Sequence, residues 1–262
     1  MFTGDYNYFD YKYNIPGYTG QDYGGFAQYF YLALSLVLLT VLLIALRKTP
    51  KERARKIIGF LGIFLTVFYI GKTAWESYYD ITQNGGFNTY LLPLDTCSLI
   101  MPAGILAGFG KGRIQRLAEC WVATGGIIGG FATMLFLNAF KYYPFLSFGA
   151  TYSMVWHLLM VFMGLLILVT SRPPLPFSIA VCGFLFQLAA AVIVIPINYI
   201  FDFDFMMLKD MGSVPFFEGI ASRLTENGFG FFNPLIMLSL YFIFYAIVWL
   251  IAAGIKNRKR SA

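Results

Sequence analysis

The 262 residues combine a hydrophobic fraction of 58% with a charged fraction of only 12% and a net charge of +6. A soluble domain of this length carries about 25% charged residues, so a water-soluble fold is excluded and a polytopic membrane protein is implied. The mean hydropathy of +0.67 agrees.

In a soluble protein +6 would suggest nucleic acid; here the basic residues mark membrane orientation and no nucleic-acid partner is expected. Cys97, Cys120 and Cys182 lie in or beside apolar runs at unrelated spacings, which gives neither a disulfide framework nor a metal motif. Neither metal nor cofactor is expected. The many Phe and Tyr residues follow no alternating ten-residue pattern, so an outer-membrane barrel is excluded. The fold class expected is all-α.

Residues 1–24 are rich in Tyr, Gly, Asn and Asp and have no basic stretch ahead of an apolar core. They read as an extracellular segment packed on the membrane interface rather than as a signal peptide. The apolar runs predict a transmembrane domain over 25–255 with spans at about 25–46, 57–79, 91–109, 117–138, 151–170, 176–200 and 234–255. Residues 256–262 form a basic tail. Within the 201–233 connection, Val214–Glu226 predicts a short helix on the outer interface, with Phe216, Phe217, Ile220 and Leu224 facing down.

Basic residues gather in alternate connections. Arg47 to Lys56 follow the first span, Lys111 to Arg116 the third, Arg172 the fifth and Lys256 to Arg260 the seventh. The positive-inside rule then predicts a seven-helix bundle with the N-terminus outside and the C-terminus cytoplasmic. A multi-pass plasma-membrane protein follows.

Topology converts position into depth at about 1.5 Å per residue. Lys72, Cys97 and His157 fall at roughly the same level, about 9–10 Å below the outer surface. Glu76 lies one turn above Lys72 on the same face, Asp95 just above Cys97, and Asn198 near the outer end of the sixth span. Thr96 and Ser98 flank the thiol. Polar side chains in hydrocarbon mark function by default, so these eight residues form the candidate site. Each also has a structural reading. Lys72 and Glu76 can neutralise one another and snorkel, Cys97 can be a small apolar filler, and His157 can be a packing residue. Glu119 beside Arg116 reads as an interfacial salt bridge, and Gly125-Gly126-Ile127-Ile128-Gly129-Gly130 as close helix packing. The sharper reading rests on one thiol and the only histidine sharing a depth.

The run Leu92-Pro93-Leu94-Asp95-Thr96-Cys97, the His157-centred fifth span and the Asn198-Tyr199 end of the sixth resemble the YwaF-type bacterial membrane proteins. Those are similar in turn to eukaryotic transmembrane acyltransferases that make polyunsaturated ether phospholipids. The resemblance implies Cys97 as nucleophile and His157 as its base. Asp95 stands where the family usually has His, and Asp204-Phe205-Met206 stands where it has an Asn-Tyr-Met-like motif.

The implied chemistry is acyl transfer, or thiol-dependent lipid hydrolysis, through a thioacyl-enzyme. Lys72, Thr96, Ser98 or Asn198 would hold the oxyanion or a headgroup, and Asp95 would orient the imidazole. Membrane lipids are the expected partners; a protein partner or homo-oligomer is compatible with the chain. Two rival readings are a proton- or ion-coupled small-molecule transporter using Lys72, Glu76, Asp95 and His157, and a non-catalytic subunit of a membrane complex. No paired broken helices in corresponding halves support the transporter.

Overall fold

A computed structural model describes residues 6–11, 15, 25–86, 91–136, 143–171, 174–210 and 218–261. Long Leu, Ile, Val, Phe and Ala runs have all their backbone groups satisfied internally only as helices in lipid, and helices are what they form. α1 is Phe26–Leu46 and α2 Lys51–Asn84. A 3-10 turn, Thr96–Leu99, leads into α3, Ile100–Phe109. α4 (Gly112–Trp121) continues through a π turn, Val122–Gly126, into α5, Ile127–Phe136. α6 is Phe148–Thr170, α7 Ser178–Phe201, α8 Glu218–Glu226 and α9 Asn233–Ser261. Among the described residues six helices are long and apolar enough to cross a membrane: α1, α2, the α4–α5 rod, α6, α7 and α9.

The expected third span differs. Its helix covers only Thr96–Phe109, and Leu91–Asp95 is not regular helix. Pro93 removes a backbone donor and drives Leu92 out of the helical region, so the helix begins after it. The helices on either side run longer than the apolar pattern. α2 begins at Lys51 just after Pro50, so Arg53, Arg55 and Lys56 sit on a helix rather than in a loop. Gly85, at φ +70°, closes its far end. The expected 256–262 tail continues α9 as helix to Ser261.

α3 runs antiparallel against α2, and glycine makes this possible. A Cβ on Gly62 would lie 2.7 Å from the Ile105 nitrogen, and one on Gly108 2.5 Å from the Gly59 nitrogen. The predicted close-packing role of the Gly125–Gly130 run holds on α5, where a Cβ on Gly130 would meet the His157 carbonyl at 2.8 Å. Small residues let backbones approach and dispersion contacts replace the hydrophobic drive that lipid lacks.

One end of the bundle is tied by basic side chains. Arg55 donates to Glu119 across α2 and α4, Lys51 lies 3.9 Å from the same carboxylate, and Lys256 donates to the Val169 carbonyl at 3.1 Å. Glu119 is therefore held by α2; its expected partner Arg116 turns instead to Ser178 at 3.1 Å. At the opposite end, residues 6–11 dock on the helices. Tyr11 is buried, stacks on Tyr79 and donates to Asp80 at 3.0 Å, while Trp75 donates to the Phe9 carbonyl. The rest of the expected 1–24 segment lies outside the described residues except for Ile15, as do Arg172 and Val214–Phe217 of the interface helix. Of that helix, α8 is described, with Ile220 exposed and Leu224 packed on the core.

Candidate functional site

Cys97 sits in the first turn after the non-helical Leu91–Asp95 stretch, at the N-terminal end of α3. Gly129 leaves room for it. A Cβ on Gly129 would lie 3.9 Å from the Cys97 Sγ and 3.4 Å from the Met160 Cε. Thr133, one turn on, borders the thiol and donates to the Gly129 carbonyl at 3.0 Å. The neighbouring Gly130 packs on the His157 carbonyl. Cys97 and His157 thus flank one glycine pair of α5, consistent with their expected common depth.

The imidazole has a defined tautomer. Nδ1 lies 2.7 Å from the Ser153 carbonyl, which can only accept, so Nδ1 carries the proton and Nε2 keeps its lone pair. Ser153 Oγ lies 3.4 Å from the same nitrogen. Among the described residues no hydrogen bond joins the thiol to the imidazole.

Above this layer the connection after α7 turns back into the bundle. Asn198, fully buried, donates from Nδ2 to the Phe205 carbonyl at 2.8 Å and accepts from the Phe205 N–H at 3.0 Å. Its amide is committed to holding this loop rather than to a substrate. Met206 is buried next to it; its N–H donates to the exposed Asp95 Oδ1 at 3.3 Å, and Tyr241 donates to its carbonyl at 3.0 Å. Tyr241 also shares a 2.8 Å hydrogen bond with Thr96. Asp95 and Thr96 therefore tie the loop to the start of the Cys97 turn. Ser98, in the same turn as Cys97, is buried. Outside the spans, the Asp202 carboxyl is held below its usual range by the Lys209 ammonium, which donates to it. Burial pushes the Asp204 carboxyl upward, although it accepts from the Lys209 and Asp210 amides, each at 2.9 Å.

Lys72 and Glu76 form the expected ion pair one turn apart. Glu76 is 5% exposed and accepts a 2.5 Å hydrogen bond from Tyr143, and Lys72 lies 5.7 Å from the centre of the Tyr152 ring. The pair is walled by α2, α6 and the segment before α6, and it does not reach the Cys97 turn through any hydrogen bond among the described residues. No three metal-ligating side chains converge among them either.

A family model, that of the TMEM164 family, matches residues 23–255. The chain belongs to the TMEM164 family. No curated protein and no solved structure matches it. The family match spans α1 to near the end of α9 and takes in Cys97, His157 and the Met206 loop.

This TMEM164-family chain also holds polar residues that spacing alone did not single out. Gln187 Oε1 accepts from Trp121 at 2.7 Å and from Tyr245 at 3.0 Å, and its Nε2 faces the Met206 sulfur at 3.5 Å. Gln187 is legible in the sequence as an isolated polar residue in an apolar helix, but its partners Trp121 and Tyr245 lie on other helices and no spacing links them to it. Tyr143 gave no signal, since nothing in a loop tyrosine announces a buried glutamate.

Proposed function

We propose that this protein is a multi-pass membrane enzyme that moves acyl chains on lipids through a thioacyl-enzyme, with Cys97 as nucleophile and His157 as base. Kinship to YwaF-type proteins and to eukaryotic lipid acyltransferases belongs to the same proposal, as do seven crossings and a plasma-membrane location. The supporting observation is the single thiol at the mouth of α3 sharing the Gly129-Gly130 layer with an imidazole whose Nδ1 is fixed by Ser153. Fixing Nδ1–H leaves Nε2 as the proton acceptor a general base requires.

The steps balance without a redox partner. Nε2 takes the Cys97 proton and the thiolate attacks a lipid ester carbonyl. The alcohol leaves with the proton held by the imidazole, giving a thioester on Sγ. A lysolipid hydroxyl then loses its proton to Nε2, attacks the thioester and releases the thiol. The first-turn amides of Thr96 and Cys97, which a helix start leaves without an intrahelical partner, would take the oxyanion. Lys72, Glu76 and Asn198 support the fold around the site; Asp95 and Thr96 secure the loop above it. Because thiol and imidazole are unlinked at rest, proton transfer belongs to the substrate-bound arrangement.

The test uses a lipid-like thiol-reactive probe on membranes carrying Cys120→Ser and Cys182→Ser. Cys97 should label rapidly, and His157→Ala should slow labelling about 100-fold, the low end of a general-base contribution. Equal rates would remove the pair.

Orientation is tested separately. The basic end of the bundle is assigned to the cytoplasm by the positive-inside rule. In intact cells an impermeant thiol reagent should modify Asp210→Cys and leave Glu52→Cys untouched. The reverse pattern would invert the topology.

A further inference from the structure

A groove of about 380 Å³ opens on the side of α2, along its middle third. Its walls are Phe64, Phe68 and Trp75 of α2 and Phe148 of α6, with Phe9 closing the end nearest the N-terminal segment. Phe64 and Phe68 stack at 5.5 Å, and Trp75 meets Phe148 edge-on at 4.9 Å, so the walls are braced by neighbouring rings. Its volume falls within the roughly 300–1,000 Å³ of small-molecule sites.

Gly71 lines this groove, and it is not there for packing. A Cβ added to it would meet nothing within 4 Å. Most helical glycines of this chain press on a neighbour, as Gly59, Gly62, Gly104 and Gly108 do along the α2–α3 seam. A helix-interior glycine without a contact destabilises the helix relative to alanine, and what sets Gly71 apart from the equally contact-free Gly254 is its place in the wall of the groove.

We infer that this groove binds one acyl chain of a membrane phospholipid. Three observations select that occupant. The groove lies on a helix that is a candidate span and opens to the lipid side, where Val67 is 64% exposed. Phe64 to Trp75 cover about 16 Å of helix at 1.5 Å per residue, close to half of a hydrocarbon core about 30 Å thick. That is the length of one leaflet. The one ammonium at the groove, Lys72, is already paired with Glu76, so the carboxylate of a free fatty acid finds no counter-charge there, whereas an esterified chain needs none. The groove does not depend on Cys97 being a nucleophile, and it can hold a chain whether or not the protein is an enzyme.

The experiment is photo-crosslinking of the full chain in phosphatidylcholine vesicles doped with a phosphatidylcholine bearing a mid-chain diazirine, followed by peptide mapping. Crosslinks to the α2 and α6 groove residues should exceed those to the exposed Val37 and Val41 of α1 at least fivefold. Gly71→Leu, whose Cβ meets nothing within 4 Å and whose branched end occupies the groove, should cut the groove yield at least fivefold. Gly254→Leu, equally free of contacts but on α9, should leave it unchanged. If Gly71→Leu fails to fold, Val67→Trp fills the same space from an exposed position. Equal yields on the groove and on α1, or yields indifferent to the filling variants, mean annular lipid only and overturn the site. Stronger capture of a diazirine fatty acid than of the phospholipid would overturn the choice of occupant.

Discussion

Gly108→Ala is expected to cost roughly 3 kcal/mol, the upper end of the usual overpacking penalty, for the addition of a single methyl group. The new Cβ would stand 2.5 Å from the Gly59 nitrogen and 2.8 Å from the Arg55 carbonyl. These are backbone atoms, which cannot rotate aside, so α2 and α3 must separate. Separation would also draw Arg55 away from Glu119, which is buried at the basic end of α4. Melting in detergent should fall by on the order of 10 °C. Gly71→Ala is the matched control and should raise stability by about 0.5–1 kcal/mol, because the same methyl meets open space and the helix loses a glycine. A melting temperature for Gly108→Ala within 2 °C of the parent, against roughly 2–4 °C per kcal/mol for a chain of this size, would mean that α3 does not pack on α2 as described.

Lys72→Met should destabilise the protein more than the double change Lys72→Met with Glu76→Gln. Removing the ammonium alone leaves the Glu76 carboxylate, 5% exposed, with Tyr143 as its hydrogen-bond donor. Breaking a buried pair from one side typically costs about 3–5 kcal/mol, against about 0–1 for an exposed pair. The glutamine introduced by Glu76→Gln still offers Tyr143 an acceptor and carries no charge. The double variant should therefore recover most of the loss. Equal melting temperatures for single and double variants would show that the pair is solvated.

The apolar runs and the alternation of basic connections were enough to read an all-helical membrane bundle, because hydrocarbon leaves a long apolar segment only one backbone solution. What the pattern could not read was where regular helix stops inside the apolar third segment. Pro93 signalled a break, yet the apolar character of Leu91, Leu92 and Leu94 concealed it. At the candidate site, depth brought Cys97 and His157 to one layer and paired Lys72 with Glu76. Depth carries no information about rotation around a helix, however. It therefore put Asn198 among substrate-facing groups when its amide clamps Phe205, and it missed Tyr143, Tyr241 and Tyr245. Those partners come from segments far apart in sequence, where only tertiary packing sets the contact. Glu119 shows the same limit: adjacency suggested Arg116, whereas the helix crossing supplies Arg55.

The turn above Cys97 is unusual in its backbone. Met206 and Met207 have φ of +60° and +54°, a region that costs a residue with a side chain about 1–2 kcal/mol each, and Asp202 at +58° adds a milder strain. Asn198, Asp95 and Tyr241 hold the segment in that shape through hydrogen bonds to the Phe205 and Met206 backbone. The segment therefore behaves as a loaded spring under a catch. Were those bonds broken, recovered torsional energy would offset part of the lost bonding, so this turn gives up its ties to Asp95 and Tyr241 at lower cost than a relaxed turn with the same contacts would.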